Sequence, residues 1–171
     1  MGIFRSNFLK DDYKIPLISG TIYNELKKAY TGGMVDVYKL TNEPGTKVNS
    51  YDVNSLYPYS MFEFAVPVGK PIYFEGEILR ILSDAFGVFE VEVETPTDLK
   101  YSVLQTKFKT DKGDKTISPL GTWTGWYFSE EIFNAIKFGY KFKVLRGYLF
   151  EKVYNFKDFV SKLYKIKENS K

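Results

Sequence analysis

The spacing of apolar residues along the chain predicts four helices. Apolar positions recur every three to four residues, which places them on one helical face, at residues 21–30, 55–64, 129–138 and 155–167. The first three helices open at hydroxyl residues suited to capping, Thr21, Ser55 and Ser129. Glycines follow the first and third helices, and Pro58 falls in the first turn of the second, where proline is tolerated.

Alternation of apolar and polar residues predicts the strands. It is clearest at residues 88–93, where glutamates separate the apolar residues, so one face of this strand should be wet. Further strands are predicted at residues 34–40, 48–53, 101–108 and 140–150. A Pro-Gly turn at residues 42–45 would join the first two into a hairpin, and the lysine-rich run 107–115 is typical of an exposed hairpin tip. The fold class predicted is α+β with mostly antiparallel strands.

Composition narrows the chemistry that the chain can perform. The 171 residues are 44% hydrophobic, which permits a folded core, and the net charge of +3 neither requires nor opposes a nucleic-acid partner. Cysteine and histidine are absent, which excludes disulfides, thiolate or imidazole zinc sites and histidine-based triads. Metal chemistry would therefore use oxygen ligands and a cation such as Mg²⁺. No apolar run approaches the ~18 residues of a membrane span.

Residues 51–58 carry the most informative chemistry. The predicted strand ends near Asp52 and a helix follows at once, so the carboxylate would lie beside the carbonyl of Val53 and a helix N-terminus. Carboxylate and carbonyl oxygens suit a divalent cation, and helix-start amides suit phosphate. A purely structural account fits the same residues, with Asp52 capping the helix and Tyr57 in the core.

Three stretches of sequence resemble family B DNA polymerases. The Asp-x-x-Ser-Leu-Tyr-Pro run at 52–58 is similar to motif A of that family, and residues 30–33 resemble its Tyr-x-Gly-Gly element, about twenty residues upstream. Residues 119–131 resemble the protein-primed branch, above all the polymerases of linear mitochondrial plasmids and, further off, those of bacteriophages. The two tryptophans in this run, Trp123 and Trp126, are expected to pack in a strand pair.

The resemblance implies roles for particular residues. Asp52 would be the catalytic carboxylate and, with the carbonyl of Val53, would bind Mg²⁺ or Mn²⁺. Val53, Leu56 and Tyr57 would bind the dNTP, with the Tyr57 ring against the sugar, where it would reject a 2′-hydroxyl. The residues implied to contact DNA are Tyr30, Gly32, Gly33 and Ser55.

The resemblance also implies a domain organisation and a set of partners. Residues 1–64 would form a linker and the N-terminal part of the palm, residues 65–151 an insertion that contacts a terminal protein, and residues 152–171 a helix leading toward the fingers. The implied partners are template and primer DNA, dNTPs, the terminal protein, and a second polypeptide carrying the rest of the polymerase. The implied location is mitochondrial, with the cytoplasm of a phage host as the alternative.

Two further elements of the family have no counterpart in this sequence. These are the hairpin with the second palm aspartate and the fingers helix that grips the triphosphate. The chain is therefore expected to be a fragment of a DNA-directed DNA polymerase that is inactive alone. The alternatives are a non-catalytic module that binds DNA or the terminal protein, and an unrelated α+β interaction domain. Glu90, Glu92 and Glu94 are expected to form an acidic face that repels phosphate, which favours a protein partner for the insertion.

Overall fold

The computed structural model describes residues 2–9 and 16–170, and the chain divides into two compact units. The first, called the helical unit here, comprises residues 1–14, 34–66 and 152–171. The second, called the sheet unit, comprises residues 15–33 and 67–151. Residues 15–33, which carry the Tyr-x-Gly-Gly element, thus group with the strand-rich part of the chain rather than with residues 34–66.

The regular elements mix helices and strands. The helices are α1 (Gly2–Phe8), α2 (Gly20–Lys28), α3 (Leu56–Glu63), α4 (Ile78–Ile81), α5 (Ser129–Ile136) and α6 (Lys157–Asn169). The strands are β1 (Val66–Glu75), β2 (Gly87–Glu94), β3 (Thr106–Thr110), β4 (Gly113–Ile117), β5 (Thr122–Phe128) and β6 (Lys141–Val153). All four predicted helices and the α+β class with mainly antiparallel strands are confirmed. None of the described helices is long and apolar enough to cross a membrane.

The helical unit is held together by aromatic packing on α6. The ring of Phe4 in α1 lies 4.8 Å from that of Phe156 and 5.4 Å from that of Phe159. Helix α3 packs against α6 as well, and Val160 of α6 is buried. The predicted apolar face of this last helix is therefore used near its start, whereas Ile166 near its end remains 54% exposed.

The sheet unit is built on a four-stranded sheet with the order β1-β6-β2-β5. Strand β2 pairs antiparallel with both β5 and β6. Strand β1 lies at an edge, which explains how it contains Pro67 and Pro71, because an edge strand can leave a backbone N–H position unpaired. The sheet that contains Val91 lies in this unit, and Asp52 lies in no strand of the described residues.

Both faces of the sheet are covered by helices. On one face, α5 contributes Ile132 and Ala135 to a fully buried cluster with the alternate β2 residues Phe89, Val91 and Val93. On the other face, α2 packs on a smaller cluster formed by Val88, Trp126 and Tyr148. The alternation predicted for residues 88–93 is confirmed, although the second face is partly covered rather than wet at its first residues.

Two predicted strands are wrong. Residues 34–40 and 48–53 form neither strand nor helix, although the predicted turn between them exists, with the N–H of Thr46 donating to the carbonyl of Glu43 at 3.0 Å. The apolar residues of these stretches face solvent, with Val35 92% and Leu40 89% exposed. A two-stranded hairpin that buries no apolar face is marginal in water, so alternation alone does not produce a ladder here.

The strand predicted at residues 101–108 begins later than expected. Residues 106–110 pair with 113–117 as the exposed hairpin β3–β4, which confirms the predicted hairpin tip. Before it, Ser102 is buried and its hydroxyl donates to the carbonyl of Leu104 at 2.9 Å. This local side-chain bond gives the backbone an alternative to a strand ladder.

Of the three predicted capping residues, only Ser55 lies at the position before its helix. Ser129 is the first residue of α5 rather than its cap, and its buried hydroxyl accepts the N–H of Gly87 at 3.2 Å. Ser19 rather than Thr21 precedes α2. Ser55 does precede α3, but its side chain makes no capping bond. These hydroxyls do not cap because tertiary contacts or backbone conformation place them elsewhere.

Candidate functional site

The predicted catalytic and nucleotide-binding residues surround one open pocket of the helical unit. The pocket measures about 550 Å³ and is lined by Tyr51, Asp52, Val53, Ser55, Leu56, Tyr57 and Pro58. Most of these side chains are exposed, and Tyr57 is 82% accessible. The alternative in which Tyr57 fills the core is therefore wrong. The alternative in which Asp52 caps the helix is also wrong, because Ser55 occupies the capping position.

The backbone turns sharply just before α3. Ser55 has φ 54° and ψ 39°, and it is the one non-glycine residue with positive φ among those described. The first helical bond runs from the N–H of Tyr59 to the carbonyl of Ser55 at 2.9 Å. The N–H groups of Leu56 and Tyr57 precede this bond, so the helix itself does not use them. A left-handed backbone costs a serine of order 1 kcal/mol, and backbone strain of this kind is commonly found at functional sites.

The pocket offers a small set of oxygen donors for a cation. Asp52 supplies a carboxylate and Val53 a backbone carbonyl, which are the hard donors that Mg²⁺ prefers. Within the described part of the chain, no group of three or more acidic, histidine or cysteine side chains is close enough to hold a metal ion. The donor set fits Mg²⁺ in the manner typical of phosphoryl-transfer sites, where one or two carboxylates act together with waters and substrate phosphates.

The Tyr30–Gly33 element follows α2 in the sheet unit. Tyr30 is 79% exposed, and its N–H donates to the carbonyl of Lys27 at 3.2 Å. A Cβ added to Gly32 or Gly33 would meet nothing within 4 Å, and neither residue has the positive φ that favours glycine. Neither packing within this structure nor backbone strain therefore requires glycine at these two positions.

A buried polar network that the sequence did not predict fixes α2 to the sheet. Glu25 is only 7% exposed, and its carboxylate accepts bonds from Arg146 Nη1 at 3.1 Å and from the Tyr148 hydroxyl at 2.5 Å. Arg146 Nε also donates to Glu90 at 2.6 Å, and Trp126 Nε1 donates to the other oxygen of Glu90 at 3.0 Å. Each carboxylate thus has two donors, which offsets its burial.

The network raises the pKa values of Tyr148 and Arg146. Burial, together with the bond to Glu25, raises the pKa of the Tyr148 hydroxyl to about 12. The bond to Glu90 raises the pKa of Arg146 further above its usual range. A sequence signal for this network does exist, since Glu25 lies on the same helical face as Ile22, Leu26 and Ala29, where a charged residue is out of pattern.

The predicted acidic face of β2 is wrong. Its three glutamates each have a basic residue directly opposite on β6, in the pairs Glu90–Arg146, Glu92–Lys143 and Glu94–Lys141. In all three cases the side chains form an ion pair, with nitrogen–oxygen distances of 2.6, 3.3 and 3.1 Å respectively. Cross-strand pairing matches each of these three carboxylates with a cation, so they do not form the unpaired acidic face that the sequence predicted.

The family model, with which the fold agrees, places the chain among DNA polymerases. The structure is similar to that of phi29 DNA polymerase, with a TM-score of 0.69 and 23% sequence identity over 97% of this chain and 31% of that chain. The family model for DNA polymerase type B, organellar and viral, matches residues 1–171, and the chain belongs to this family.

Curated relatives agree with this assignment. A probable DNA polymerase of Ascobolus immersus is 44% identical over 168 residues, which is 98% of this chain and 14% of the relative. A probable DNA polymerase of Neurospora intermedia is 43% identical over 175 residues, which is 98% of this chain and 18% of the relative. The chain therefore spans less than a fifth of the length of these two relatives.

Proposed function

We propose that this chain supplies the motif A part of a DNA polymerase palm, which acts in the transfer of a nucleotide from a dNTP to a 3′-hydroxyl. The observation that carries the proposal is the pocket at residues 51–58. It brings the carboxylate of Asp52, the carbonyl of Val53 and the start of α3 to one accessible site. Membership of the type B polymerase family supports the same chemistry.

Asp52 and Val53 would hold Mg²⁺ (or Mn²⁺) through their oxygens. When bound, such cations neutralise phosphate charge and stabilise the attacking and leaving oxygens. The unused N–H groups of Leu56 and Tyr57 would bind oxygens of the triphosphate, helped by the positive end of the helix. The exposed ring of Tyr57 would lie against the sugar and exclude a 2′-hydroxyl.

The DNA would contact a second set of residues, Tyr30, Gly32, Gly33 and Ser55. Among the described residues, nothing packs against positions 32 and 33 and neither has a positive φ, which supports this part of the proposal. Glycine lets another backbone approach closely, and a DNA strand is the partner that family membership suggests. The exposed ring of Tyr30 would be available to stack on a base.

Protein priming forms the next part of the proposal. Residues 119–131 resemble the protein-primed branch, so residues 65–151 would form the insertion that meets the terminal protein supplying the priming hydroxyl. Within it, both tryptophans lie on β5 and bond to neighbouring side chains, Trp123 Nε1 to the Tyr127 hydroxyl at 2.8 Å and Trp126 to Glu90. Their packing supports a rigid docking surface. A mitochondrial location, or the cytoplasm of a phage host, follows from the same resemblance.

Catalysis would need carboxylates in addition to that of Asp52, the one acidic residue at 51–58. One carboxylate is a weak site for two cations about 3.5–4 Å apart. We therefore expect the 171-residue chain alone to add no dNTP to a primed template, and to act with a second polypeptide that carries the remaining palm residues. A non-catalytic module that binds DNA or the terminal protein is the second candidate. It is favoured by the small donor set at Asp52.

A Mn²⁺ titration tests the metal assignment. The wild-type chain should bind Mn²⁺ weakly, with a dissociation constant of roughly millimolar order, because few protein ligands are present. Asp52→Asn should abolish this binding, whereas the matched change Asp111→Asn in the exposed hairpin turn should leave it unchanged. Equal affinity in wild type and Asp52→Asn would remove Asp52 from the site. Incorporation of dNTP by the purified chain alone would contradict the expectation that it is inactive.

A further inference from the structure

Helix α2 leads directly into the Tyr30–Gly33 element, so the contacts that hold the helix also set the position of that element. Ala29 is the residue between the two, and it packs on the small apolar cluster beneath α2. We propose that Glu25 and Arg146 form a positioning pair, which fixes where α2 lies on the sheet and thereby holds the Tyr30–Gly33 element in place for DNA. This inference rests on the proposed function, which assigns DNA contacts to that element.

Apolar packing alone does not fix the position of α2. The helix has nine residues, and isolated helices of this length are marginal in water, so α2 depends on its contacts with the sheet. Ile22, Leu26 and Ala29 provide the apolar contacts, but hydrophobic contact is non-directional and does not select one position of the helix. A bond from Lys107 Nζ to the carbonyl of Lys27, at 3.2 Å, lies at the exposed surface, where water competes for both groups.

The buried carboxylate of Glu25 supplies the direction that apolar packing lacks. Glu25 lies four residues before Ala29, and therefore on the same face of the helix, and it is 7% exposed. Its carboxylate accepts bonds from Arg146 Nη1 at 3.1 Å and from the Tyr148 hydroxyl at 2.5 Å. A buried carboxylate that loses its donors is costly, so a shift of α2 that separates Glu25 from Arg146 is disfavoured. The pair therefore selects one position of α2.

Arg146 is itself held from the side of the sheet. It lies on β6, its Nε donates to Glu90 of β2 at 2.6 Å, and its guanidinium lies 5.4 Å from the ring centre of Trp126. Past the helix, a Cβ on Gly32 or Gly33 would meet nothing within 4 Å, so packing at those residues does not replace the constraint from α2. Arg146 thus serves as a fixed reference point for the helix and for the element that follows it.

Anisotropy of a fluorescent oligo-dT, titrated with the full chain at low salt, tests the pair. Glu25→Gln keeps the shape of the side chain but removes its charge, and it should weaken oligo-dT binding about 5-fold. The matched control is Glu90→Gln, which removes the same charge and the shorter of the two Arg146 ion pairs but leaves the link to α2. This control should change affinity less than about two-fold. Both substitutions make the chain more positive, which favours phosphate binding, so a loss confined to Glu25→Gln reports position rather than charge.

Amide hydrogen exchange gives a second measurement that does not depend on DNA. The N–H groups of Ala29 and Tyr30 donate to carbonyls in the last turn of α2, both at 3.2 Å. Their exchange should accelerate about 5-fold in Glu25→Gln and remain as in wild type in Glu90→Gln. Urea denaturation of both variants establishes that they are folded under the conditions of the two assays.

Several outcomes would overturn the inference. Equal losses of affinity in Glu25→Gln and Glu90→Gln would show that only the network as a whole matters. Unchanged affinity in Glu25→Gln, or unchanged exchange at Ala29 and Tyr30, would show that the element does not depend on the pair. Absence of oligo-dT binding by the wild-type chain would instead reject the DNA contact of the proposed function, and the exchange rates would then decide by themselves whether the pair positions α2.

Discussion

The two units of this chain treat their polar residues in opposite ways. In the sheet unit, Glu25 and Glu90 are each satisfied by two donors, and every glutamate of β2 faces a cation across the sheet. In the helical unit, the carboxylate of Asp52 and the hydroxyl of Tyr57 surround an open pocket and face solvent. Polar groups that stabilise the fold are paired within it, whereas those proposed to meet a ligand remain accessible.

Glycines show the same contrast between structural and accessible positions. A Cβ on Gly147 would lie 2.5 Å from the carbonyl oxygen of Val88 and 2.8 Å from the Phe89 ring, whereas one on Gly32 would meet nothing within 4 Å. We expect Gly147→Ala to destabilise the chain by about 3 kcal/mol, because strand backbone must shift to admit the methyl group. Gly32→Ala should change stability by less than about 0.5 kcal/mol.

Urea denaturation of both glycine variants measures this difference, and oligo-dT binding adds a second reading. Gly32→Ala should weaken oligo-dT binding despite unchanged stability, if a DNA strand approaches the backbone there. Similar stability losses in the two variants would show that the two positions are not distinguished by packing. Undiminished DNA binding by Gly32→Ala would remove Gly32 from the proposed DNA path.

Replacing Arg146 should have the next largest effect on the free energy of unfolding. Arg146→Ala leaves Glu25 and Glu90 with one donor each in a mostly buried setting, and breaking such pairs costs several kcal/mol. Because Arg146 is itself partly exposed, we expect a loss of about 2 kcal/mol in the free energy of unfolding. Lys143→Ala, which breaks the exposed pair with Glu92, should cost less than about 0.5 kcal/mol.

Chemical denaturation at neutral pH compares these two variants directly. The lost pairing should also loosen α2, so amide hydrogen exchange in residues 20–28 should accelerate in Arg146→Ala and remain as in wild type in Lys143→Ala. Equal costs for the two variants would mean that the buried network adds no more than a surface ion pair.

Local pattern predicts a helix most clearly where the surrounding unit buries the apolar face of that helix. Residues 129–138 are an example, with Ile132 and Ala135 fully buried against the sheet and Gly139 at φ 85° ending the helix. The strands predicted at residues 34–40 and 48–53 failed because alternation reports a strand only when one face is buried. The sequence of these two stretches does not indicate whether another element of the fold packs against them.

The candidate site was predictable to the extent that its residues are contiguous. A single turn into a helix brings these residues to one pocket, which is lined by Asp52, Val53, Ser55, Leu56 and Tyr57 among others. The Glu25–Arg146 ion pair was not predictable, because the two residues are distant in sequence and meet only where α2 packs on the sheet. A charged residue on the otherwise apolar face of α2 was its one visible signal.

Replacing Tyr148 should cause the smallest of these stability losses, and it should also change how stability depends on pH. Its hydroxyl donates to Glu25, and burial holds its pKa at about 12, above the usual value of 10.0. A pKa raised on folding adds stability that is fully present below pH 10 and lost as pH rises toward 12. Tyr148→Phe should therefore cost about 1–2 kcal/mol at pH 8, where the bond to the carboxylate is lost. Its stability should also fall less steeply than that of wild type above pH 10.

Tyr51→Phe, which alters a tyrosine that is 89% exposed, should follow the wild-type profile. Urea denaturation between pH 8 and 11 measures all three chains. Parallel profiles for wild type and Tyr148→Phe would show that the hydroxyl ionises equally easily in the folded and unfolded chains, and the contrast between paired and accessible polar groups would then not extend to this tyrosine.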